Sequence, residues 1–217
     1  LVAYLTREEM RALLAAPDPR SRYGTRDRAM LHLAFAGGLR VSELLSLRLD
    51  RVRCADQPSV HVVGKGRRER ELPLWKETAT AISAWIAIRP PTSATELFLN
   101  STGRPMTRSG FEYILAKHVA AAAGTYPTLA SKRVTPHVLR HTCAMHTLQA
   151  TRDVRQVSLW LGHASLQSSE VYLRADPTEK LATLAASDPP MLTPGRFTAP
   201  DKLIAMLKEV SRRDYAK

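Results

Sequence analysis

Cysteine is scarce in this chain. Cys54 and Cys143 are the only two among 217 residues. So sparse a pair builds no disulfide framework and no C-x-x-C metal knuckle, and it fits a reducing compartment. Long apolar runs are also missing. Nothing approaches the roughly 18 residues of a membrane span, and nothing at the N-terminus reads as a signal peptide. There is no G-x-x-x-x-G-K-[ST] loop, which removes support for nucleotide hydrolysis, and no H-E-x-x-H helix for a zinc protease. Paired carboxylates at a recognisable spacing are lacking, so two-metal nuclease chemistry has no visible scaffold. No internal repeat and no low-complexity tract occurs.

What is present is ordinary globular material with an unusual charge. Hydrophobic residues make up 44% and charged residues 24% of a 24.1 kDa chain, which argues against disorder. That length suits one domain with a small appendage, burying roughly 70% of the surface its unfolded form exposes. The formal net charge is +12, and of 32 basic residues 24 are Arg and 8 are Lys. The planar guanidinium fork matches phosphate oxygens, so an excess carried by Arg points to nucleic acid. A composition bias would give the same excess. A membrane-surface role fits less well, because the basic residues form no polybasic cluster beside an amphipathic anchor.

The pattern along the chain is mostly helical. Thr6 with Glu9 forms a capping box, and Met10, Leu13 and Leu14 follow at helical spacing until Pro17 and Pro19. Further helices are expected at 25–36, 41–45, 76–88, 107–123, 137–150, 152–161, 166–173 and 176–186. Between them, 60–63 and 69–74 read as a hairpin around Gly64-Lys65-Gly66, with a strand near 49–54 as a third member. Its tip is basic: Lys65, Arg67, Arg68 and Arg70. A short extended piece is expected at 96–100. A Pro-rich stretch at 187–195 reads as a linker, and a last amphipathic helix runs over about 200–211 with Leu203, Ile204, Leu207 and Val210 on one face. The expected fold is therefore mainly α with a small three-stranded antiparallel sheet.

Four local patterns carry possible chemistry. Arg40 opens a helix behind Gly37-Gly38, and Glu43 one turn later can fix its guanidinium. Alone, this pair reads as a surface ion pair. Lys65 at a hairpin tip can reach into a site and donate a proton, although alone it is a solvated turn lysine. His137 and Arg140 share a helix face after Pro136. Nearby His141, Cys143 and His146 invite a zinc reading, which the absence of further ligands at metal spacing rejects, leaving His141 as a buried, hydrogen-bonded histidine. His163 follows Gly162 at an exposed corner, and Tyr172 comes nine residues later, where alone it is a core aromatic. Taken together, two Arg, two His, a Lys and a Tyr suit phosphoryl transfer without a metal or other cofactor.

In this order and spacing the set resembles the catalytic domain of the tyrosine recombinase (phage integrase) family, from about Leu5 to Asp176. The carriers are GLRVSELLSL, VVGKGRRERELPL, TPHVLRHTCA and WLGHASLQSSEVYLR. The resemblance implies that Tyr172 is the nucleophile and that Arg40 and Arg140 grip the non-bridging phosphate oxygens. It implies Lys65 as general acid for the 5′-hydroxyl, His137 as an aid to proton transfer at Tyr172, and His163 as a phosphate hydrogen-bond donor. Glu43 would orient the cluster, and Arg67, Arg68 and Arg70 would contact DNA.

The chain departs from the family pattern at Ala150-Thr151, where a Gly often stands, and at Ser168-Ser169, where Thr-Thr is usual. The implied partners are double-stranded DNA and further copies of the chain, a tetramer on DNA and a monomer when free, with no membrane. The implied setting is the prokaryotic cytoplasm, at the nucleoid. On this reading residues 1–186 form the catalytic domain and 187–217 a linker and helix. The family's N-terminal core-binding domain has no counterpart ahead of Leu1, so the chain reads as a catalytic fragment or a minimal member. A type IB topoisomerase shares much of this residue set, and a non-catalytic DNA-binding protein on the same fold is the alternative from a different class. The completeness of the set speaks against the latter.

Overall fold

The computed structural model describes residues 2–64, 66, 68–163 and 165–175. The expected helix at 176–186, the linker and the last amphipathic helix lie outside the described residues, as do Lys65 and Arg67.

The first helix, α1 (Arg7–Ala15), starts where the sequence places it. The Thr6 hydroxyl accepts from the Glu9 amide, and the Glu9 carboxylate accepts from the Thr6 amide. The second helix, α2 (Arg22–Ala36), begins a turn earlier than its apolar pattern, because the Ser21 hydroxyl accepts from the Gly24 amide at 3.0 Å and caps it there. Residues Ala29 to Ala36 of α2 are all buried, so its second half is a central helix with neighbours on every side. It packs against α1, α4 (Lys76–Ile88) and α6 (Pro136–Thr151). Near its start lies a buried ionic group. Asp27 accepts from Arg26 at 2.7 and 2.9 Å and pairs with His118 of α5 (Arg108–Ala123) at 2.9 Å, while Arg26 also donates to the Leu99 carbonyl.

The sheet is antiparallel with order β1–β2–β3. The strands are β1 (Val52–Arg53), β2 (Ser59–Val63) and β3 (Glu69–Pro73). Val60, Val62 and Leu72 face the core. The first strand is shorter than expected. Leu49–Arg51 is a 3-10 turn, held by the Leu49 amide donating to the Thr95 carbonyl. The extended piece at 96–100 is present as isolated bridges, Arg48 with Glu96 and Leu99 with Pro105, and it buries Leu97, Phe98 and Leu99 completely.

Three further α-helices are short: α3 (Val41–Leu45), α7 (Val154–Leu161) and α8 (Gln167–Ala175). Between α6 and α7 the chain turns at Arg152, which adopts a left-handed φ of 54°. A non-glycine residue there costs about 1 kcal/mol or more; Ala150 and Thr151 end α6 instead of forming the turn, which falls on Arg152. No helix among the described residues is long and apolar enough to cross a membrane.

Candidate active site

The site is assembled from four segments that meet around the start of α3. Gly38 makes the approach possible. Its φ is +52°, and a Cβ there would lie 2.5 Å from the Leu161 side chain and 3.0 Å from the Cys143 sulfur. Only glycine lets this turn lie against α6 and α7. Arg40 then takes the N-cap of α3. Its amide donates to Glu43 Oε2 at 2.9 Å and its guanidinium to Oε1 at 2.8 Å, while over a third of its side chain stays exposed.

Glu43 is buried and accepts a second guanidinium. Arg70 donates to Oε1 at 3.2 Å and to Oε2 at 2.8 Å. Burial pushes the Glu43 carboxyl up, but the Arg70 and Arg40 donors outweigh it and hold it below the ordinary carboxylate value. The structure corrects the expected position of Arg70. It is no solvated tip residue; only 11% of its side chain is exposed. Arg68 is exposed at the start of the return strand.

Arg140 comes from the first turns of α6, which Thr135 caps and Pro136 opens. Its guanidinium donates to the Gly38 carbonyl at 2.5 Å and to the Leu161 carbonyl at 2.8 Å. It thereby pins the turn that carries Arg40 to the end of the helix that precedes His163. Burial, then the neighbouring Arg40, lowers its pKa to about 10, so it stays cationic at neutral pH.

Gly162 ends α7 with φ +62° and turns the chain to His163, whose Nδ1 lies 2.7 Å from the Ser169 hydroxyl. Burial, then Arg140, Arg40 and Arg70, brings the His163 pKa down to about 4, so the ring is neutral at pH 7. His163 lies nearly parallel to the Tyr172 ring, with centroids 6.3 Å apart.

Tyr172 is 2% exposed. Its hydroxyl lies 3.0 Å from Nδ1 of His141, and the Nε2–H tautomer of that ring lets the phenol donate. Burial raises the Tyr172 pKa, against the pull of Arg140. Burial, then His137, lowers that of His141 to about 4. His137 is exposed and does not touch the phenol; it meets His141 edge-on at 4.2 Å. His141 is thus a member of the site that the sequence leaves as a plain buried histidine. The available signal was its position four residues after His137, on the same helix face.

Arg40, His137 and Arg140 line an open groove of about 680 Å³. Arg133 also lines it and adds positive charge that the sequence patterns did not single out, while Arg108, another lining residue, is paired with Glu112. Among the described residues no three His, Cys, Asp or Glu side chains gather as a metal site.

The profile of the phage integrase family matches residues 3–179. The chain belongs to that family. A putative integrase/recombinase of Sinorhizobium fredii is 40% identical over 97% of this chain and 63% of its own length. A tyrosine recombinase XerD of Vibrio cholerae is 38% identical over 83% of this chain and 59% of its own. The crystal structure of XerA recombinase superposes with a TM-score of 0.72 at 25% identity, covering 87% of this chain and 66% of that one. The chain spans about three fifths of the length of the curated relatives it matches. The integrase-family profile covers both the Arg40 and the Tyr172 ends of the site, and the mainly helical fold with its small sheet is that of the recombinase structure.

Proposed function

We propose that the protein is a site-specific DNA recombinase or integrase that cuts and rejoins strands through a 3′-phosphotyrosyl intermediate. The observation that carries this reading is the convergence at Tyr172. The phenol sits between two histidines, beside a buried Arg140 that ties together the segments bearing Arg40 and His163. The names of the two curated relatives and the +12 charge support the same reading.

In this mechanism Arg40 and Arg140 hold the non-bridging oxygens of a DNA phosphate, and His163 donates a further hydrogen bond. Their donors stabilise the charge that grows as the Oη–P bond forms. In the free protein the phenol rests on His141. On engaging the phosphate it turns toward the groove, where exposed His137 takes its proton. The P–O5′ bond breaks, and Lys65 supplies the proton that the leaving 5′-oxygen needs. A 5′-hydroxyl from a partner strand later attacks the phosphotyrosine and releases Tyr172. The ester conserves the bond energy, so no ATP is required, and the cationic side chains supply the electrostatics that a metal would otherwise provide. The substrate is double-stranded DNA, contacted also by Arg67 and Arg68, and the chain works as an oligomer on DNA, a tetramer, in the cytoplasm.

Tyr172→Phe tests the assignment. The unaltered chain should give a covalent adduct on nicked cognate DNA that survives denaturing gels and persists in excess EDTA. The variant should give none. An adduct formed by the variant removes Tyr172 from the role.

A further inference from the structure

Arg70 lies in a slot whose walls are glycines. A Cβ on Gly162 would fall 2.9 Å from its Nη1 and 3.1 Å from its Cδ. A Cβ on Gly64 would fall 3.5 Å from the same nitrogen and 3.1 Å from Glu43 Oε1. Inside the slot both terminal nitrogens of Arg70 are committed to Glu43, and its Nε is buried with no partner. Arg70 is not among the residues that line the groove of Arg40 and Arg140.

Each contact of Arg70 leads to a different reacting group. Glu43 holds the Arg40 guanidinium and amide. Gly162 is the residue before His163, and Gly64 is the residue before Lys65. The Gly64 amide donates to the Arg68 carbonyl at 2.8 Å, which closes the hairpin just outside β2 and β3. One side chain thus binds Glu43 and lies beside Gly64 and Gly162, the supports of three segments that arrive from distant parts of the sequence.

We propose that Arg70 is a positioning residue that fixes Arg40, His163 and the Lys65 hairpin relative to one another, and makes no phosphate contact of its own. This rests on the recombinase reading above. The planar fork matters, because only a bidentate donor engages both Glu43 oxygens while its stem lies against Gly162. Arg70 also adds positive charge beside His163, which is faced by Arg140 and His141 of α6, Arg40 at the start of α3, and Ser169 and Tyr172 of α8.

The test uses the full chain, with Arg70→Met and Arg70→Lys, in three measurements. First, duplex affinity is followed against salt. A phosphate contact contributes about one unit to the log–log slope; an unchanged slope is expected, and a fall of about one unit overturns the proposal. Second, adduct formation is timed at saturating nicked DNA. Misplacement on the scale of 1 Å costs about 10²-fold, so Arg70→Met should be about that much slower and Arg70→Lys should recover only part of the loss. A rate equal to that of the unaltered chain overturns the proposal, and so does full recovery by lysine.

Third, the His163 ring is titrated by NMR without DNA. Burial, Arg140 and Arg40 lower its pKa more than Arg70 does, so in Arg70→Met it should rise only part of the way from about 4, and no movement counts against the proposal. This readout and the salt slope do not depend on turnover. Failure of the unaltered chain to form any adduct would therefore fall on the Tyr172 reading, leaving Arg70 to be judged on these two. Should Arg70→Met not fold, Arg70→Lys carries the rate measurement, where full recovery by lysine still overturns the proposal.

Discussion

Arg140→Lys keeps the charge of the most buried cation of the site and removes its shape. Two of the five N–H donors of Arg140 go to the Gly38 and Leu161 carbonyls, at 2.5 and 2.8 Å. Three remain for a phosphate. An ammonium on a four-carbon stem cannot span both carbonyls and still present a pair of parallel donors to two phosphate oxygens. Losing one charged hydrogen bond to a buried carbonyl costs about 1.5–3 kcal/mol of stability. Losing a donor aimed at charge that develops in the transition state costs about 2.7–4 kcal/mol, or 10²–10³ in rate. The two losses are separable. Urea unfolding reports the first, and the rate of adduct formation at saturating nicked DNA reports the second. DNA affinity should barely change, because the net charge does not. A rate within threefold of the unaltered chain would show that only the charge of Arg140 matters. A fall in affinity as large as the fall in kcat/KM, with kcat unchanged, would place its contact in the ground state instead.

Acid should weaken the fold between about pH 6.5 and 4. His32, His141 and His163 are held neutral with pKa values about 4, in each case by burial first. The unfolded chain takes up those protons at about 6.5, so stability declines as pH falls through this window. His32→Leu should flatten the decline, because the buried His32 Nε2 has no partner to lose; a urea midpoint that ignores pH refutes the argument. Asp27→Ala strands the buried Arg26 and removes the partner of His118. It should cost about 3–5 kcal/mol, read by chemical denaturation, and a loss below about 1 kcal/mol would mean the ionic group is dispensable. Lys65→Ala should slow cleavage of ordinary DNA and be rescued by a 5′-bridging phosphorothiolate, whose thiolate leaves without an acid. Equal defects on both substrates would free Lys65 from that role.

The elements that the sequence made legible are those fixed by local contacts. The Thr6–Glu9 box spans one turn, and the β2–β3 hairpin closes over a short Gly-rich tip. The start of α2 was hidden because Ser21 caps a turn whose side chains are polar. The 3-10 turn at Leu49–Arg51 depends on a partner carbonyl at Thr95, far along the chain. Within the site, Arg40, Glu43, Arg140, His163 and Tyr172 could be assigned by their order, and the structure brings them together. His141 escaped because its partner, Tyr172, is 31 residues away. The sequence places Arg70 at a DNA-facing tip although the strand period held the signal of its inward position: Leu72 and Leu74 face the core, and counting back by two puts Arg70 inward as well.

The attachment of α8 has a consequence for what the free protein leaves alone. Only Ser169 and Tyr172, one turn apart, are buried on this nine-residue helix, and each makes one side-chain hydrogen bond, to His163 and His141. Freeing the Tyr172 phenol breaks its hydrogen bond to His141, about 1 kcal/mol, and exposes one aromatic side chain, roughly 2 kcal/mol. The sum of about 3 kcal/mol leaves under about one molecule in a hundred with its phenol outward at any moment. On the proposed role of Tyr172, a stray phosphodiester would therefore find the phenol stowed nearly every time. A duplex that grips long enough to repay that small opening cost would find it available, so restraint off target would come from the latch between Tyr172 and His141.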